Sequence, residues 1–519
     1  MTTPSPSRHY VTTAIPYVNA RPHIGFAMEL VMADVIARYR RLRGDDVRAL
    51  TGTDENALKN VQAAEQAGID TATFVQAQAA AFEALREPLN LSFDDFIRTS
   101  AQRRHARGVT KLWQACAARG DIDKRAYRGL YCVGCEQFYA PADLVDGRCP
   151  EHDSEPELVE EDNYFFRLSR YEAQILALLE SGRLRIVPEG YRNEILAFVR
   201  GGLADLSISR SRARARGWGI GVPDDPSQVM YVWFDALGNY VTALDYADEG
   251  DDYVRYWVDS DARVHVIGKG ITRFHAVYWP AILLSAGLPL PTTLVVHGYL
   301  TVDGRKIGKS LGNAIDPEDI VARHGTDPVR YFLCRHVRFG RDGDFHEARL
   351  VTATHAELAD QLGNLLRRTV SMIARYTDGG VPAPTDDGPF AALAVQIRDD
   401  YERAFADYRI DDAVRTAWTI VDAANRHAVE RAPWKLAKRD DPAARAALRT
   451  TLYELAEALR LAAVYLAPFL PYTAAQIRHQ LGLSPAPEPW DAATRWGGVP
   501  VGATVTVGEP LFAKTSPAA

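Results

Sequence analysis

The sequence predicts a parallel-sheet α/β protein followed by an all-α helix bundle. In the first half, short apolar runs with strand character alternate with segments of helical periodicity, as in residues 11–15, 28–44 and 46–52. Two further short apolar runs, 263–270 and 292–300, have glycine at or near their ends. Short strands separated by long helices favour a parallel sheet, in which ligands bind at the carboxyl ends of the strands.

The chain has 519 residues, too many for a single hydrophobic core, and its character changes twice along its length. Residues 116–225 contain turn signals, polar strands and a cluster of cysteines, and we predict that they form an insertion in the sheet domain. After residue 345, apolar residues recur at helical spacing, which predicts a helix bundle. The predicted divisions are a sheet domain (1–115 and 226–300), the insertion (116–225), a linking region (301–345), the helical domain (346–490) and a C-terminal tail (491–519).

Hydrophobic residues make up 47% of the chain and charged residues 24%, which is typical of a soluble globular protein. We find neither a signal peptide nor an apolar run that could span a bilayer, so we expect a cytoplasmic protein without membrane contact. The formal net charge of −7 argues against a protein coated with nucleic acid, but it is compatible with a local basic surface. Nine Lys/Arg and only two Asp lie between Arg98 and Arg128, and by itself we interpret this run as a solvated helix face.

Three of the five cysteines form a cluster with one histidine at the spacing of metal ligands. Cys132 and Cys135 are separated by two residues, and after thirteen more residues Cys149 and His152 have the same separation. Two short chelating pairs can enclose one tetrahedral ion, and structural zinc prefers thiolate and imidazole ligands. We therefore predict one closed, structural Zn²⁺ site in a knuckle at about 128–165. Buried thiols or a redox pair are the alternative, which fits the polar surroundings poorly.

Residues 301–313, TVDGRKIGKSLGN, form a glycine-punctuated loop after a predicted strand. Lys306 and Lys309, followed by Ser310, would place two ammonium groups on this loop. Such a pair suits a polyphosphate leaving group, on which negative charge grows in the transition state. Taken alone, a stretch of this kind is more often a solvated basic turn.

Residues 16–26, PYVNARPHIGF, connect a predicted strand to a predicted helix that begins near residue 27. His23 lies on the turn into that helix, where a side-chain donor can bind a phosphate that also meets the helix N-terminus. Gly25 would let the backbone come close to such a ligand. By itself, a histidine at this place is more often a turn or core residue.

The order of the motifs is more specific than any one of them. Along the chain it reads PYVNARPHIG, TGTDEN, the Cys/His insertion, YVWFDALGNY, IGKGITRFHAVYWP, GRKIGKSLGN and the helix bundle. This order resembles the class I aminoacyl-tRNA synthetases, and within that class the methionyl-tRNA synthetase family, from about Tyr10 to Glu509. The resemblance implies a Rossmann-like catalytic domain with an inserted zinc knuckle and an anticodon-binding helix bundle. It also implies a ligase that joins L-methionine to tRNA(Met) with Mg²⁺ and ATP.

The resemblance further implies a pocket for the methionine side chain. The matching positions are Ala14, Ile15, Tyr17, Trp233, Ala236, Tyr240, Ile271, His275 and Trp279. Aromatic faces and aliphatic walls suit a polarizable thioether, and Tyr240 or His275 would supply one polar contact to the sulfur. Asp54, in TGTDEN, matches the carboxylate that holds the substrate ammonium group. Without this context, core packing is the better interpretation of the two tryptophans.

The resemblance also implies nucleotide contacts. The matching positions are His23, Gly25, Phe26, Lys306, Lys309 and Ser310. Among these, His23 would contact the triphosphate, and Lys306 and Lys309 would stabilise the departing pyrophosphate, so these three are the predicted catalytic residues.

For the tRNA anticodon, the resemblance points to Asn364, Arg368 and Trp434. Asn364 and Arg368 are four residues apart and share a helix face, so both side chains can hydrogen-bond base edges. Trp434, directly after Pro433, offers a stacking surface for an unstacked base. Ordinary capping or surface roles are the alternative for these residues.

Four motifs depart from the family pattern. The first signature usually reads HIGH and here ends in Phe26, and the lysine loop reads KIGKS in place of KMSKS. TGTDEHG becomes TGTDENA, at Asn56 and Ala57, and IGKD becomes IGKG, at Gly270. Phe26 matters most, because a phenyl ring cannot donate to phosphate as the transition state forms. Losing one such donor costs about 3–4 kcal/mol.

Three hypotheses remain open at this point. The chain is a working synthetase that tolerates these changes, or a paralogue with slow, redirected or inhibitor-insensitive activation, or a tRNA-binding protein with little catalysis. The retained lysines, His23 and the complete pocket argue against the third. The chain ends shortly after the bundle without an appended tRNA-binding module, so we expect a monomer.

Overall fold

The computed structural model describes residues 6–132, 137–139, 141–150, 153–302, 304–307, 312–384, 388–485 and 488–513. The chain divides into two compact units. The first consists of Met1–Pro22, Asp46–Arg86 and Phe93–His297, and the second of His23–Asp45, Glu87–Ser92 and Gly298–Ala519. No helix in the described part of the chain has both the length and the apolar character that a membrane span requires.

Strands and helices alternate in the first part of the chain, and helices predominate after residue 345. Within the described residues the strands are β1 (Arg8–Thr13), β2 (Asp46–Thr53), β3 (Asp95–Arg98), β4 (Ile122–Cys132), β5 (Gln137–Tyr139), β6 (Glu157–Phe166), β7 (Arg185–Val187), β8 (Leu206–Ser207), β9 (Ser209–Ser211), β10 (Gly221–Val222), β11 (Asp225–Met230), β12 (Ala262–Gly268), β13 (Thr293–His297), β14 (Leu300–Val302), β15 (Arg305–Lys306) and β16 (Gly343–Phe345). The helices are α1 (Ile24–Leu42), α2 (Leu58–Ala67), α3 (Thr71–Ala84), α4 (Arg103–Ala118), α5 (Glu172–Glu180), α6 (Glu189–Arg200), α7 (Val232–Thr242), α8 (Asp251–Tyr253), α9 (Trp279–Ala286), α10 (Pro317–His324), α11 (Thr326–Arg335), α12 (Glu347–Ala353), α13 (Asn364–Tyr376), α14 (Phe390–Ala406), α15 (Ile410–Arg431), α16 (Pro433–Leu436), α17 (Pro442–Leu466), α18 (Pro471–Gln480) and α19 (Trp490–Ala493).

The first unit is organised around a parallel sheet of six strands in the order β3-β2-β1-β12-β13-β7. Strand β1 is buried from His9 to Thr13, as expected for a strand that is covered on both faces. The edge strand β7 comes from within residues 116–225, so part of the segment predicted as an insertion completes this sheet. The predicted parallel-sheet α/β fold is confirmed.

The remainder of residues 116–225 contains a second, antiparallel sheet in the order β5-β4-β6-β8. Strand β4 pairs with β6 from Ile122 to Tyr131. The antiparallel β4–β5 pairing brings Cys132 opposite Gln137. Residues 133–136 themselves lie outside the described part of the chain.

The basic run from Arg98 to Arg128 is balanced by acidic partners on neighbouring segments of the same unit. The pairs, each with a nitrogen–oxygen distance of 2.8–3.1 Å, are Arg104–Asp95, Lys111–Glu249, Lys124–Asp225, Arg125–Asp205 and Arg128–Glu160. The predicted solvated helix face is therefore found only in part: Arg104 and Lys111 lie on α4, whereas Lys124, Arg125 and Arg128 lie on strand β4.

The second unit is mainly helical. A small sheet in the order β15-β14-β16 joins the two ends of the linking region, since Leu300–Val302 pairs with Gly343–Phe345. A π-helical turn at Thr354–Gly363 connects α12 to α13 without a break. The longest helix, α17, is buried continuously from Thr450 to Leu466, which identifies it as the centre of the bundle. The predicted helical domain after the sheet domain is confirmed.

Candidate active site

A buried tyrosine–histidine pair supplies the polar group of the predicted methionine pocket. Tyr240 lies on α7, and its Oη is 2.7 Å from Nε2 of His275, in the π-helical turn Phe274–Tyr278. Nδ1 of His275 is 2.9 Å from the carbonyl oxygen of Ile271. Because a carbonyl oxygen only accepts, Nδ1 carries the ring proton and Nε2 accepts the proton of the tyrosine hydroxyl. Burial lowers the pKa of His275 to about 4, so the ring is neutral near pH 7.

Aromatic and aliphatic side chains share one core with this pair. The ring of Trp233 stacks on Phe274 with 3.6 Å between centroids, and the Tyr240 ring lies 6.0 Å from the buried ring of Trp279. Four further wall positions are buried or packed against the same core: Ala14, Ile15, Ala236 and Ile271. Tyr17 instead packs against a small separate cluster that includes Tyr231 and Val232. The structure thus brings the predicted side-chain pocket together within the first unit.

Asp54 lies in the turn that follows β2. Its backbone N–H donates to the carbonyl oxygen of Pro16 at 2.9 Å, and Tyr17 and Asp54 form an isolated parallel β-bridge. The Asp54 side chain is buried, and its Oδ1 accepts from the backbone N–H of Asn56 at 3.3 Å. The predicted ammonium ligand is therefore adjacent to the pocket segment that follows β1.

A second buried histidine, which no sequence motif singled out, supports Tyr240. His265 on β12 stacks on the Tyr240 ring with 4.0 Å between centroids, and its Nδ1 is 2.7 Å from Oγ1 of Thr12. Burial, together with the neighbouring His275 and Arg263, holds the pKa of His265 well below its usual value. The ring is therefore neutral and fixes the plane of the tyrosine. The only available signal was a histidine inside the apolar run RVHVIG.

The predicted nucleotide segment lies in the second unit, at the start of α1. His23 is the N-cap of this helix, and its Nδ1 accepts from the backbone N–H of Gly25 at 3.1 Å. Burial lowers the pKa of His23, so the ring is neutral near pH 7, and because Nδ1 accepts, the remaining proton is on Nε2. A Cβ at position 25 would lie 3.0 Å from the imidazole. A larger residue at this position would therefore crowd the capping ring, which would have to shift by a few tenths of an ångström.

The lysine loop meets the same helix start. The Cβ position of Gly25 is 3.6 Å from Cδ1 of Ile307, and the backbone N–H of Ile24 donates to the carbonyl oxygen of Ile315 at 2.9 Å. Phe26, the third residue of α1, is half-buried. The strand β15 includes Lys306, but its side chain is not described, and Lys309 and Ser310 lie outside the described residues.

The predicted anticodon residues lie on exposed helix surfaces of the second unit. Asn364 and Arg368 are both exposed on α13, and Nη2 of Arg368 donates to Oδ1 of Asn425 on α15 at 3.0 Å. Trp434 is the second residue of α16 and is 37% exposed, an unusual state for a tryptophan. Nδ2 of Asn364 donates to Oδ1 of Asp360 at 3.3 Å, so both polar side chains are exposed and also hydrogen-bonded to neighbouring residues.

Two of the four predicted zinc ligands lie within the described residues. The thiols of Cys132 and Cys149 are buried, and both residues contact Ser154: Sγ of Cys132 is 3.6 Å from its Oγ, and the backbone N–H of Cys149 donates to its carbonyl oxygen. Cys135 and His152 lie outside the described residues. Among the side chains that are described, no group of three or more His, Cys, Asp or Glu is arranged to hold a metal.

Two sequence families match the chain in the order of its two parts. The family described as tRNA synthetases class I (M) matches residues 9–156 and 139–370. The family described as the anticodon binding domain of methionyl tRNA ligase matches residues 377–518. The chain belongs to the methionyl-tRNA synthetases. The family membership and the class I assignment that the motif order indicated are confirmed.

Individual methionyl-tRNA synthetases match over nearly the whole chain. The methionine–tRNA ligase of Brucella suis is 44% identical over 484 residues, which are 91% of this chain and 91% of its own. That of Thermotoga maritima is 40% identical over 98% of this chain and 80% of its own. The structure of Mycobacterium tuberculosis methionyl-tRNA synthetase in complex with methionyl-adenylate has a TM-score of 0.92 and 41% identity, covering 98% of this chain and 99% of that one.

Sequence reasoning about the synthetase motifs missed a buried polar cluster next to Asp54. Nδ2 of Asn56 donates to Oδ2 of Asp235 at 2.8 Å, and Oδ1 of the same carboxylate is 2.9 Å from Nε2 of His105. A signal existed for Asp235, since it is an acidic residue in the otherwise apolar stretch YVWFDALGNY. None existed for His105, which stands in the basic run on α4.

Proposed function

We propose that this chain activates L-methionine with ATP and transfers the methionyl group to tRNA(Met). The observation that carries the proposal is the buried Tyr240–His275 hydrogen bond between aromatic walls, with a neutral imidazole. Such a pocket offers a thioether polarizable surfaces and one oriented polar group, and it offers no charge that would favour an ionic side chain. Membership of the methionyl-tRNA synthetases supports the same substrate.

In the first step, the methionine carboxylate attacks the α-phosphorus of ATP in line, and the bond to the departing pyrophosphate breaks. Asp54 would hold the substrate ammonium group through a charge-assisted hydrogen bond. Because the hydroxyl of Tyr240 donates its proton to His275, Tyr240 would present oxygen lone pairs and a ring face to the methyl thioether. Fixing both ends of the amino acid leaves its carboxylate free to react, which is the main contribution that positioning makes.

The start of α1 would bind the triphosphate. The Nε2–H of His23 is the donor left after its Nδ1 is used for capping, and the positive end of the helix dipole favours the same anion. Lys306 and Lys309 would stabilise the charge that grows on pyrophosphate, with Ser310 as a further donor. Gly25 and Phe26 complete this segment, and Phe26 supplies no hydrogen bond from its side chain.

In the second step, the 3′-terminal ribose hydroxyl of the tRNA attacks the carbonyl carbon of the adenylate, and AMP leaves. Asn364, Arg368 and Trp434 would read the anticodon, through base-edge hydrogen bonds and stacking. Their support is the exposure of all three side chains on the helical unit. The bond from Arg368 to Asn425 would hold the guanidinium in place before the tRNA binds.

Two metal ions belong to the proposal. Mg²⁺ bound with ATP would neutralise part of the phosphate charge. Cys132, Cys135, Cys149 and His152 would hold one structural Zn²⁺. The described half of this set fits zinc, because Cys132 and Cys149 both contact Ser154 and are withdrawn from solvent, as ligands of a closed site are.

A second candidate function is a synthetase with slow activation, and one observation favours it. Phe26 lies in the first turn of α1, where the family pattern has a histidine, and its ring cannot donate to phosphate. This difference would leave binding of methionine intact and reduce the rate of adenylate formation. A paralogue that tolerates an inhibitor or serves another pathway would show the same profile.

ATP–pyrophosphate exchange with each of the twenty amino acids tests these functions. Exchange that requires methionine, followed by charging of tRNA(Met), is the expected result. Exchange with a different amino acid alone would overturn the substrate. Absence of all exchange, together with tight binding of tRNA(Met), would instead identify a tRNA-binding protein.

A further inference from the structure

We propose that Asn56, Asp235 and His105 are positioning residues that connect the turn carrying Asp54 to helix α7. They would thereby fix the distance between the ammonium site and the thioether pocket. The proposal rests on methionine as the substrate and adds residues for which the motifs predict no role. All three belong to the first unit, and none of them is expected to touch the substrate.

The three residues form a chain of hydrogen bonds that begins at Asp54. The backbone N–H of Asn56 donates to Oδ1 of Asp54, and its side chain donates to Oδ2 of Asp235 at 2.8 Å. The other oxygen of Asp235 accepts from Nε2 of His105 at 2.9 Å, and Nδ1 of His105 is 2.7 Å from Oγ1 of Thr242. Asp235, His105 and Thr242 have no solvent exposure. Water cannot replace a lost donor there, so each bond fixes a distance.

Both ends of this chain are substrate-binding elements. Asp235 and Thr242 lie on α7, the helix that also carries the pocket residues Trp233, Ala236 and Tyr240. Asn56 lies two residues after Asp54, so a shift of α7 along its axis would pull on the turn that holds this carboxylate. An amino acid is bound at both its ammonium group and its side chain, and a change in the separation of the two sites weakens both contacts together.

Close helix packing makes the chain possible. A Cβ added at Gly108 of α4 would lie 2.5 Å from Cγ2 of Thr242, so only glycine permits this approach of α4 to α7. At that separation the imidazole of His105 reaches Asp235 and Thr242, which are two turns apart on α7. His105 therefore contacts α7 at two points, and Asn56 connects α7 to the turn that carries Asp54.

Asn56 stands where the family pattern has a histidine, and both residue types have a side-chain donor. TGTDEHG has a histidine at this position and TGTDEN has an amide, and both side chains can donate to a carboxylate. The substitution therefore changes the residue and keeps the donor toward Asp235. This contrasts with Phe26, where the donor is lost.

Asn56→Leu keeps the side-chain size and removes the donor, so it is the main test. In ATP–pyrophosphate exchange, its KM for methionine should rise about tenfold while the KM for ATP stays within about twofold, because an unsatisfied buried carboxylate displaces its neighbours. Asn56→His should restore a KM for methionine within about threefold of the wild-type value. Tyr171→Phe is the matched control, since it also removes one donor to a buried carboxylate, Asp121, and should leave both KM values unchanged.

Calorimetric binding of L-methionine to the same proteins gives a readout that needs no catalysis. A dissociation constant that rises for Asn56→Leu and recovers for Asn56→His supports the proposal. Equal constants for Asn56→Leu and Tyr171→Phe would overturn it, because the cluster would then have only a structural role. If the wild-type chain binds methionine without exchange, the proposed function fails while the cluster is still tested by binding. If the wild-type chain binds no methionine, both proposals fail.

Thr242→Val provides a milder variant in case Asn56→Leu does not fold. At nearly constant volume it removes the last bond of the chain, together with the longer bond from Thr242 to the carbonyl oxygen of Asn239 at 3.4 Å. The KM and dissociation constant for methionine should rise about threefold. Values equal to those of the wild-type protein, with His105→Gln also unchanged, would overturn the proposal.

Discussion

The methionine pocket of the first unit and the nucleotide segment of the second differ in what their binding groups depend on. In the pocket, side chains such as Tyr240, His275 and Asp54 carry the predicted contacts, and each is held by a hydrogen bond to a neighbouring residue. At the start of α1, the helix dipole favours a bound phosphate regardless of the side chains. His23 adds one side-chain donor to it. A site of side chains tolerates little change of residue type, and a helix start tolerates more. The substitutions at Phe26 and Ile307 fall in the second region, whereas those at Asn56, Ala57 and Gly270 fall in the first unit.

The largest expected effect is in the pocket, for Asp54→Asn. The amide keeps the oxygen that accepts from the Asn56 backbone, but it loses the charge that pairs with the ammonium group. The value of kcat/KM for methionine in exchange should fall about 1000-fold, because the substrate charge is left unpaired. Asp225→Asn is the control, since Asp225 makes the same type of bond to Ser227 at 3.1 Å and should leave exchange unchanged. A loss of tenfold or less at Asp54 would place the ammonium group elsewhere.

At the nucleotide segment, His23→Asn should separate capping from catalysis. Asparagine is a good N-cap, so the helix should keep its stability. Its amide N–H lies closer to the backbone than the imidazole Nε2–H, so the donor is withdrawn from the phosphate. The exchange rate at saturating methionine should fall about 100-fold, with the dissociation constant for methionine unchanged. His23→Ala should additionally lower the melting temperature, because the cap is lost too. Full exchange by His23→Asn would show that His23 is a cap and no more.

The pocket should also make stability sensitive to acid. The pKa of His275 is lowered from about 6.5 in the unfolded chain to about 4 in the folded one, so the folded state binds this proton less readily. The free energy of unfolding therefore keeps its full value above pH 6.5, where the ring is neutral in both states. As the pH falls from 6.5 to 4 the unfolded chain takes up the proton first, and the free energy of unfolding falls by about 3 kcal/mol in total. Urea unfolding at a series of pH values should show the loss, and His275→Phe should reduce it.

The smallest expected effect concerns Phe26 and is a gain. Phe26→His should raise the rate of adenylate formation at least about tenfold, because it restores a donor at the helix start. Phe26→Leu is the matched control, since it exchanges one apolar side chain for another and should leave the rate unchanged. If neither substitution changes the rate, the surrounding segment is adapted to an apolar residue. The missing donor at Phe26 would then no longer distinguish the nucleotide segment from the methionine pocket.

The local patterns predicted the elements well. Strand-like runs at residues 11–15, 46–52 and 263–270 correspond to β1, β2 and β12, and the periodicity from residue 28 corresponds to α1. These signals are short-ranged, because burial of one face or of a whole strand is recorded in neighbouring residues. Strand β7 was not predicted, since three residues carry no periodicity. Its place in the sheet depends on pairing with β13, more than a hundred residues later.

The sequence alone determined the order of the motifs, and with it the family, the pocket residue types and the departure at Phe26. Only the tertiary structure decided which groups are partners. Asn56 and Asp235 are 179 residues apart, and His105 and Asp235 are 130 apart, so no local pattern relates them. It also decided the state of the two imidazoles, because the tautomer of His23 follows from the Gly25 N–H and that of His275 from the Ile271 carbonyl. The sequence specifies residue types, but the partner of a hydrogen bond and the position of a ring proton depend on the packing of the site.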